Sequence, residues 1–121
     1  MFNVAIIGGE NAPDYQFFQD KCIYYLKSKV KEGEYIRILT IGDKYVDIFA
    51  NKYGIETKQY NVAWTKKKDL TPLNNRNKEL INDADAIIYF DANRKSLEHI
   101  YKLASNKPSI LRRRVSIKSN L

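Results

Sequence analysis

Apolar residues along this chain fall into short continuous runs and longer helix-spaced sets, and the two kinds alternate. The run Val4-Ala5-Ile6-Ile7 has no polar residue to face water, which is typical of a strand buried on both faces. It stops at Gly8-Gly9, where glycine permits a tight turn and close approach of the backbone to a ligand. A buried strand that ends in glycines and leads into a helix is a common beginning of a doubly wound α/β domain. A tight turn without a ligand is the alternative.

Four segments carry apolar residues at helical spacing. The first is preceded by Pro13 and Asp14, which favour a helix start, and the second closes at Gly54, a common residue just beyond a helix. Pro72 opens the third. The predicted helices cover about residues 14–31, 46–53, 72–83 and 95–105.

Five segments between and around these helices are predicted to be strands. They cover residues 4–7, 35–41, 55–62, 84–90 and 108–111. Alternation of strands and helices predicts right-handed crossovers. We therefore expect one three-layer, Rossmann-like α/β domain over residues 1–111, with a mostly parallel five-stranded sheet and helices on both faces. Residues 112–121 are predicted to be a basic C-terminal tail.

Length and composition suit one cytoplasmic domain. The chain has 121 residues, enough to bury a core unaided. No run approaches the roughly 18 apolar residues of a membrane span, and the N-terminus lacks the features of a signal peptide. Cys22 is the only cysteine, so no disulfide is predicted and the cytoplasm is the expected location. We expect no membrane partner.

The net charge of +7 comes from 21 Lys and Arg against 14 Asp and Glu. Two basic runs stand out, Lys66–Lys68 in a loop and Arg112–Arg114 in the predicted tail. Such runs usually form solvated surface, and nucleic-acid binding through the tail is the alternative. The aromatic residues of the first helix, at 15–26, are a candidate contact in a homo-oligomer.

Polar residues and glycines follow three of the predicted strands. In an open parallel sheet, ligands bind beyond the carboxyl ends of the strands, and the backbone N–H groups of the helices that start there can hold phosphate. Ordinary turn chemistry is the alternative for each cluster. The three clusters are Gly8, Gly9, Glu10 and Asn11, then Gly42, Asp43, Lys44 and Asp47, and finally Asp91, Asn93, Arg94 and Ser96. The ligand-binding candidates among them are Gly8, Gly9, Gly42, Asp47 and Ser96.

Catalytic signatures are sparse. One histidine, His99, and one cysteine leave no His/Cys metal cluster and no Cys–His nucleophile pair, and His99 is expected on a helix surface. Neither a G-x-S-x-G elbow nor a G-x-x-x-x-G-K-[ST] loop occurs. We therefore predict no metal and no cofactor, and binding without catalysis is favoured over an enzyme.

Three segments, in this order, resemble the YspA/YpsA-related branch of the SLOG superfamily. They are V-A-I-I-G-G at 4–9, I-G-D-K-Y-V-D-I-F-A at 41–50 and R-N-K-E-L-I-N-D-A-D-A-I-I-Y-F at 76–90. The resemblance implies a Rossmann-like domain that binds a nucleotide or a nucleotide-derived ligand. It also implies that Arg76 and Asn77, which match the family's paired Arg-Asn, belong to the site.

The glycine loops depart from the family pattern. Glu10 stands where the family usually has an arginine, Tyr45 takes a glycine position, and Ser96 lies in a reduced version of the loop after the fourth strand. The resemblance implies that Arg76 contacts phosphate or orients a carboxylate. It also implies that Asn77 hydrogen-bonds a base, a ribose or a strand-end loop, and that Asp47 accepts from a ribose hydroxyl or caps its helix. The alternative for the Arg-Asn pair is that it ties two loops together.

Three functions remain open from the sequence. The first is a non-catalytic binding module for a nucleotide or a nucleotide-derived ligand. The second is a hydrolase that cleaves an N-glycosidic bond of such a ligand, with Asp47, Glu10 or Asp91 as acid or base. The third is a basic protein that binds nucleic acid or a protein partner through its lysine and arginine runs, the ancestral pocket being lost.

Overall fold

A computed structural model describes residues 1–63, 69–92 and 95–117, without the side chains of residues 95 and 96. Within these residues, strands and α-helices alternate. The elements are β1 (Phe2–Ile7), α1 (Tyr15–Lys31), β2 (Ile36–Thr40), α2 (Lys44–Tyr53), β3 (Glu56–Gln59), α3 (Thr71–Asp83), β4 (Ala86–Asp91), α4 (Lys95–Ser105) and β5 (Leu111–Ser116). A single 3₁₀ turn, Gly9–Asn11, joins β1 to the start of α1.

The five strands form one sheet in the order β3-β2-β1-β4-β5, and every neighbouring pair is parallel. The chain moves outward from β1 to β2 and β3, then crosses back to β4 and continues to β5 on the other side. This confirms the predicted Rossmann-like α/β fold, with a sheet that is entirely parallel. The strand order reverses between β1 and β4, so their carboxyl ends flank the crevice where such sheets commonly bind ligands.

The two faces of the sheet are covered by different helices. Val4 and Ile6 of β1 face a core that includes Phe18 of α1 and Phe49 of α2. Ala5 and Ile7 face the opposite core, which α3 and α4 cover. Because successive side chains of a strand point to opposite faces, the continuous apolar run of β1 contributes to both cores.

Local signals set several helix ends where the sequence predicts them. The side chain of Asp14 accepts a hydrogen bond from Phe17 N over 2.8 Å and caps the start of α1. Gly54 has a φ of +63° and closes α2 in the left-handed conformation that favours glycine. The observed bounds of α4 are the predicted ones.

The prediction for the last strand was wrong. β5 runs from Leu111 to Ser116, after the predicted strand 108–111, so residues 112–116 of the predicted basic tail belong to the sheet. Val115 is the one buried residue of this strand. An edge strand bonds to a neighbour on one side only, and charged side chains can extend from it into water. Its sequence therefore lacks the apolar run on which the prediction relied.

The opposite edge strand is shorter than predicted. β3 covers Glu56–Gln59 within the predicted 55–62, and all four of its side chains are exposed. The run Lys66–Lys68, predicted to lie in a loop, falls outside the described residues. No helix among the described residues is long and apolar enough to cross a membrane.

Candidate functional site

The glycine turn after β1 lies directly against the end of β4. Gly8 has a φ of +75°, and a Cβ atom there would lie 2.5 Å from the carbonyl oxygen of Phe90. The side chain of Asn11 donates a hydrogen bond to the same oxygen over 3.1 Å. Gly8 is therefore required by the approach of the turn to β4, and protein atoms occupy the space that its missing side chain leaves.

Gly9 is required by packing against α1. A Cβ atom on Gly9 would lie 2.6 Å from Cε2 of Phe18 and 2.9 Å from Oδ2 of Asp43. Phe18 is fully buried in the core beneath. The close approach that glycine permits here serves contacts within the protein itself.

Two carboxylates cover the N-terminus of α2. Oδ1 of Asp43 accepts from Tyr45 N over 2.9 Å and from Val46 N over 3.4 Å. Oε1 of Glu10 accepts from Lys44 N over 2.9 Å, and Oδ2 of Asp43 accepts from Glu10 N over 3.2 Å. The N–H groups that were predicted to hold phosphate at this helix thus bond to the protein's own carboxylates.

Burial is the main cause that raises the pKa of Asp43, and the negative charge of Glu10 raises it further. Hydrogen bonds from the backbone N–H groups of Glu10, Tyr45 and Val46 oppose this shift because they favour the ionised carboxylate. Asp43 is 7 % exposed. The loop therefore holds a buried acid beside a second acid, which is an unfavourable place for a phosphate group.

The other candidates near α2 lie at its surface. Gly42 has a φ of +99°, and a Cβ atom there would be 3.4 Å from Nε2 of Gln59. Asp47 is exposed in the first turn of α2, where a negative charge stabilises a helix. Tyr45 is half-buried, and the centroid of its ring lies 5.7 Å from the ring centroid of Tyr15.

Arg76 and Asn77 lie on α3, on the face of the sheet opposite α2. Nε of Arg76 donates to Oδ1 of Asn77 over 2.8 Å, and Nη1 donates to the carbonyl oxygen of Tyr60 over 3.4 Å. Asn77 is 1 % exposed, and its Nδ2 lies 3.1 Å from Nδ1 of His99 on α4. Burial lowers the pKa of Arg76. In this structure the pair ties α3 to the segment after β3 and to α4.

These contacts determine which nitrogen of His99 carries the proton. Arginine only donates hydrogen bonds, so the atom of Asn77 that faces Arg76 is the amide oxygen. The amide nitrogen of Asn77 must then face His99 and donate to Nδ1. His99 is accordingly held with Nδ1 as acceptor and with its hydrogen on Nε2.

His99 also lines a cleft between α4 and the strands β4 and β5. The cleft has a volume of about 530 Å³ and begins at the carboxyl end of β4. Its walls combine aromatic rings with charges of both signs. The lining residues are Tyr89, Asp91, Glu98, His99, Tyr101, Lys102, Ser105 and Arg114.

An ion pair closes one wall of this cleft. Nε of Arg114 donates to Oδ2 of Asp91 over 2.8 Å, and Nη2 of Arg114 bonds to the same oxygen. The side chain of Asp91 is 6 % exposed, whereas that of Arg114 is 53 % exposed. The hydrogen bond with Asp91 raises the pKa of Arg114, so the guanidinium remains charged and partly accessible.

Two tyrosines form the aromatic part of the wall. The ring centroids of Tyr89 and Tyr101 are 4.9 Å apart with an interplanar angle of 28°. Cζ of Arg114 lies 5.8 Å from the centroid of Tyr101, within the range of a cation–π contact. Burial raises the pKa of Tyr89, and the charge of Asp91 adds to the shift, so this hydroxyl stays protonated at neutral pH.

The sequence-predicted candidates do not all meet in one site. Gly8 and Gly9 lie at the crevice between β1 and β4, and Gly42 and Asp47 lie beside α2. Arg76 and Asn77 reach the cleft through His99, and the side chain of Ser96 lies outside the described residues.

Arg114 and the two tyrosines were missed by the sequence reasoning. The sequence pattern predicts that Arg114 lies in a tail, and tyrosines at strand and helix spacing are typical of core residues. One sequence signal could have indicated the cleft. Tyr89 and Asp91 are two residues apart on β4, and residues i and i+2 of a strand share a face.

The described residues contain no group of three or more His, Cys, Asp or Glu side chains arranged to hold a metal ion. Comparison with protein-family models finds no match to the chain, and comparisons with curated proteins and with solved structures find none either. The likeness to the SLOG superfamily therefore stays a prediction from the residues quoted above.

Proposed function

We propose that this protein binds a nucleotide or a nucleotide-derived ligand, without turning it over, in the cleft between α4 and the strands β4 and β5. One observation carries the proposal. A partly exposed arginine and a stacked tyrosine pair line a cleft of about 530 Å³ at the carboxyl end of β4, next to the point where the strand order reverses. Parallel α/β sheets commonly bind ligands at that end.

The charges of the cleft suit a ligand with an anionic group and several hydroxyls. Arg114 and Lys102 supply cations for a phosphate, and a guanidinium matches the geometry of phosphate oxygens. The exposed carboxylate of Glu98 can accept hydrogen bonds from ribose hydroxyls. A base can pack against Tyr101, the more accessible of the two rings, since aromatic side chains are common stacking partners of bases.

His99 adds a hydrogen-bond donor to the cleft. Because Asn77 donates to Nδ1, Nε2–H of His99 is the group available to a ligand atom with a lone pair. The predicted role of Arg76 and Asn77 in the site then becomes indirect, since they position His99 rather than contact phosphate.

Binding is favoured over N-glycosidic hydrolysis because of what the candidate acids do. Glu10 caps α2 through Lys44 N, Asp91 is held in its ion pair with Arg114, and Asp47 lies at the exposed start of α2. Each carboxylate has a structural reason for its position.

We propose that binding occurs in the cytoplasm, the location predicted from the sequence. Cys22, the only cysteine of the chain, is a free, buried thiol.

The three arginines of β5 do not support a single basic surface for nucleic acid. Arg114 faces Tyr101 and the α4 side of the sheet. Arg113 lines a small depression of about 60 Å³ with Phe2 and Tyr25 on the α1 side. Their alternation along the strand divides the positive charge between two faces.

Thermal shift and calorimetric titration with AMP, ADP, NAD, ADP-ribose and inorganic phosphate test the proposal. A ligand at about 100 times its dissociation constant should stabilise the fold by about 2.7 kcal/mol. Arg114→Lys should lower the affinity about tenfold, the equivalent of one charge-assisted hydrogen bond. Tyr101→Leu should lower it by a similar factor through the loss of stacking.

Arg113→Lys is the matched control, since it makes the same change on the same strand but on the opposite face. It should leave the affinity unchanged. Failure of every ligand in the panel, or equal losses in Arg113→Lys and Arg114→Lys, would overturn the proposal. Chromatography of the same mixtures separates binding from hydrolysis, because product that forms with the wild type and not with Asp91→Asn would establish an enzyme.

A further inference from the structure

An apolar groove lies at the end of the molecule opposite the cleft. It runs between the C-terminal parts of α1 and α2 and the starts of β2 and β3, and its volume is about 590 Å³. Helices that connect parallel strands end near the amino ends of the next strands, which places the groove away from the ligand-binding edge. Its apolar lining consists of Ile23, Leu26, Val30, Tyr35, Ile36, Phe49, Tyr53 and Ile55.

Several of these side chains are unusually exposed for their size. Val30 is 63 % exposed, Tyr35 59 %, Tyr53 44 % and Ile23 40 %. They are four of the nine large apolar side chains that are exposed in the described part of the chain. A contiguous apolar patch of this kind marks an interaction surface.

The rim of the groove carries charges of both signs. Lys27 and Lys31 project from α1, and Glu34 lies just before β2. Glu56, at the start of β3, forms an ion pair with Arg37 over 3.7 Å. On a chain of net charge +7, most surfaces of two copies repel each other. A patch with cations on one side and anions on the other is a place where two copies can meet with less of that repulsion.

We propose that this groove is the contact surface of a homodimer. In a two-fold symmetric contact the same patch faces itself, so the lysine side of one copy lies against the glutamate side of the other. Lys31 and Glu34 are then the charges that set the relative orientation of the copies. The apolar side chains between them form the core of the contact.

The exposed apolar area is a large part of what a specific contact needs. The four exposed side chains Ile23, Val30, Tyr35 and Tyr53 present on the order of 400 Å² in one copy, given that an aromatic side chain buries roughly 150–250 Å². Two copies together approach the roughly 1,000 Å² that a biological interface should exceed. The flanking lysine and glutamate stems add to that area.

Analytical ultracentrifugation over a concentration series tests the proposal. The wild type should move from the monomer mass of 14.1 kDa to twice that mass as concentration rises. Val30→Glu should shift the midpoint to at least tenfold higher concentration, because it places a charge in the apolar centre. Leu70→Glu is the matched control, since Leu70 is 59 % exposed outside the groove, and it should dimerise like the wild type.

Charge exchange tests the symmetry of the contact. Lys31→Glu and Glu34→Lys should each weaken self-association, and a mixture of the two variants should recover dimers that neither forms alone. Circular dichroism confirms that each variant is folded. A wild type that stays monomeric at every concentration, a dimer that Val30→Glu leaves intact, or a mixture without recovery would overturn the proposal. None of these results depends on whether the cleft binds a nucleotide.

Discussion

Nδ2 of Asn77 lies 3.1 Å from Nδ1 of His99 and joins α3 to α4 across 22 residues of sequence. The donor is known because the other end of the same amide accepts from Nε of Arg76 over 2.8 Å. Arg76 thus orients Asn77, and Asn77 selects the tautomer of His99 with hydrogen on Nε2. This relation is a consequence of donor and acceptor chemistry alone.

Asn77→Asp should reverse that tautomer. A carboxylate can still accept from Arg76, but its second oxygen accepts too, so the Nδ1 atom of His99 must then carry a hydrogen. Nitrogen-15 NMR of the imidazole distinguishes the two forms. We expect the Nε2–H tautomer in the wild type and a protonated Nδ1 in the variant, and a wild type with hydrogen on Nδ1 would contradict the assignment.

Ligand affinity provides a second readout of the same relation. Asn77→Asp should change nucleotide affinity while Tyr101 and Arg114 are intact, because it changes the proton that His99 presents to the cleft. A merely structural role for Asn77 predicts lower stability with an unchanged tautomer. The two measurements together separate positioning of His99 from general support of the fold.

The ionisation of Asp43 should make the free energy of unfolding depend on pH. A helix-capping carboxylate whose pKa falls on folding stabilises the protein more as pH rises, and Asp43 should do the opposite. Burial and then Glu10 raise its pKa in the folded state, whereas an unfolded aspartate titrates near about 3.9. An acid with a raised folded pKa contributes its stabilisation below the unfolded pKa and loses it as pH rises through the folded pKa. The stability of the wild type relative to Asp43→Asn should therefore fall as pH rises through that interval.

Urea denaturation at several pH values measures this difference. Above the raised pKa the difference should become constant. Glu10→Gln should lower the pKa of Asp43 in a carbon-13 NMR titration, because it removes the neighbouring negative charge. A difference that grows with pH would show that the hydrogen bonds from Tyr45 and Val46 outweigh burial.

Gly9→Ala should destabilise the protein more than a glycine substitution in open space. The new methyl group would lie 2.6 Å from the ring of Phe18, which is fully buried and cannot move away. We expect a loss of about 3 kcal/mol, at the upper end for overpacking. Gly33→Ala, at a φ of +75° with nothing within 4 Å, should cost about 1 kcal/mol from backbone strain alone.

Chemical denaturation of both variants decides between two roles of the glycine turn. Similar losses would mean that the turn can relax around a side chain. That result would support the role predicted for Gly9 from the sequence, which is to permit close approach of the backbone to a ligand.

Glu10→Ala should weaken the start of α2. It removes the hydrogen bond to Lys44 N and a negative charge at a helix N-terminus, and the expected loss in the free energy of unfolding is about 1 kcal/mol. Asp47→Ala, an exposed acid in the first turn of the same helix, is the control and should cost less than about 0.5 kcal/mol. Equal losses would show that charge alone, and not the hydrogen bond, accounts for the effect.

Glu10→Gln divides these contributions further. Glutamine keeps an oxygen that can accept from Lys44 N but has no charge. Its stability should lie between those of the wild type and Glu10→Ala, and the difference from the wild type should shrink at high salt, which screens the charge.

Elements with a strong local pattern could be predicted from the sequence. The apolar run of β1, the left-handed Gly54 after α2 and the bounds of α4 depend on neighbouring residues, and the structure confirms them. β5 could not be predicted, because its arginines satisfy no apolar pattern. It forms through hydrogen bonding to β4 at the edge of the sheet, where Tyr89 pairs with Arg114.

The sequence by itself determined the alternating α/β architecture, since apolar periodicity selects helix or strand and the crossover rule then favours a parallel sheet. The prediction that Arg76 and Asn77 belong to a ligand site rests on their resemblance to a family motif and stays a prediction. Only the tertiary structure showed that Lys44 N donates a hydrogen bond to the carboxylate of Glu10, and that the guanidinium of Arg114 pairs with the carboxylate of Asp91. These contacts join residues that are 34 and 23 positions apart, and no local pattern encodes them, because they depend on the strand order and register that bring distant backbones together.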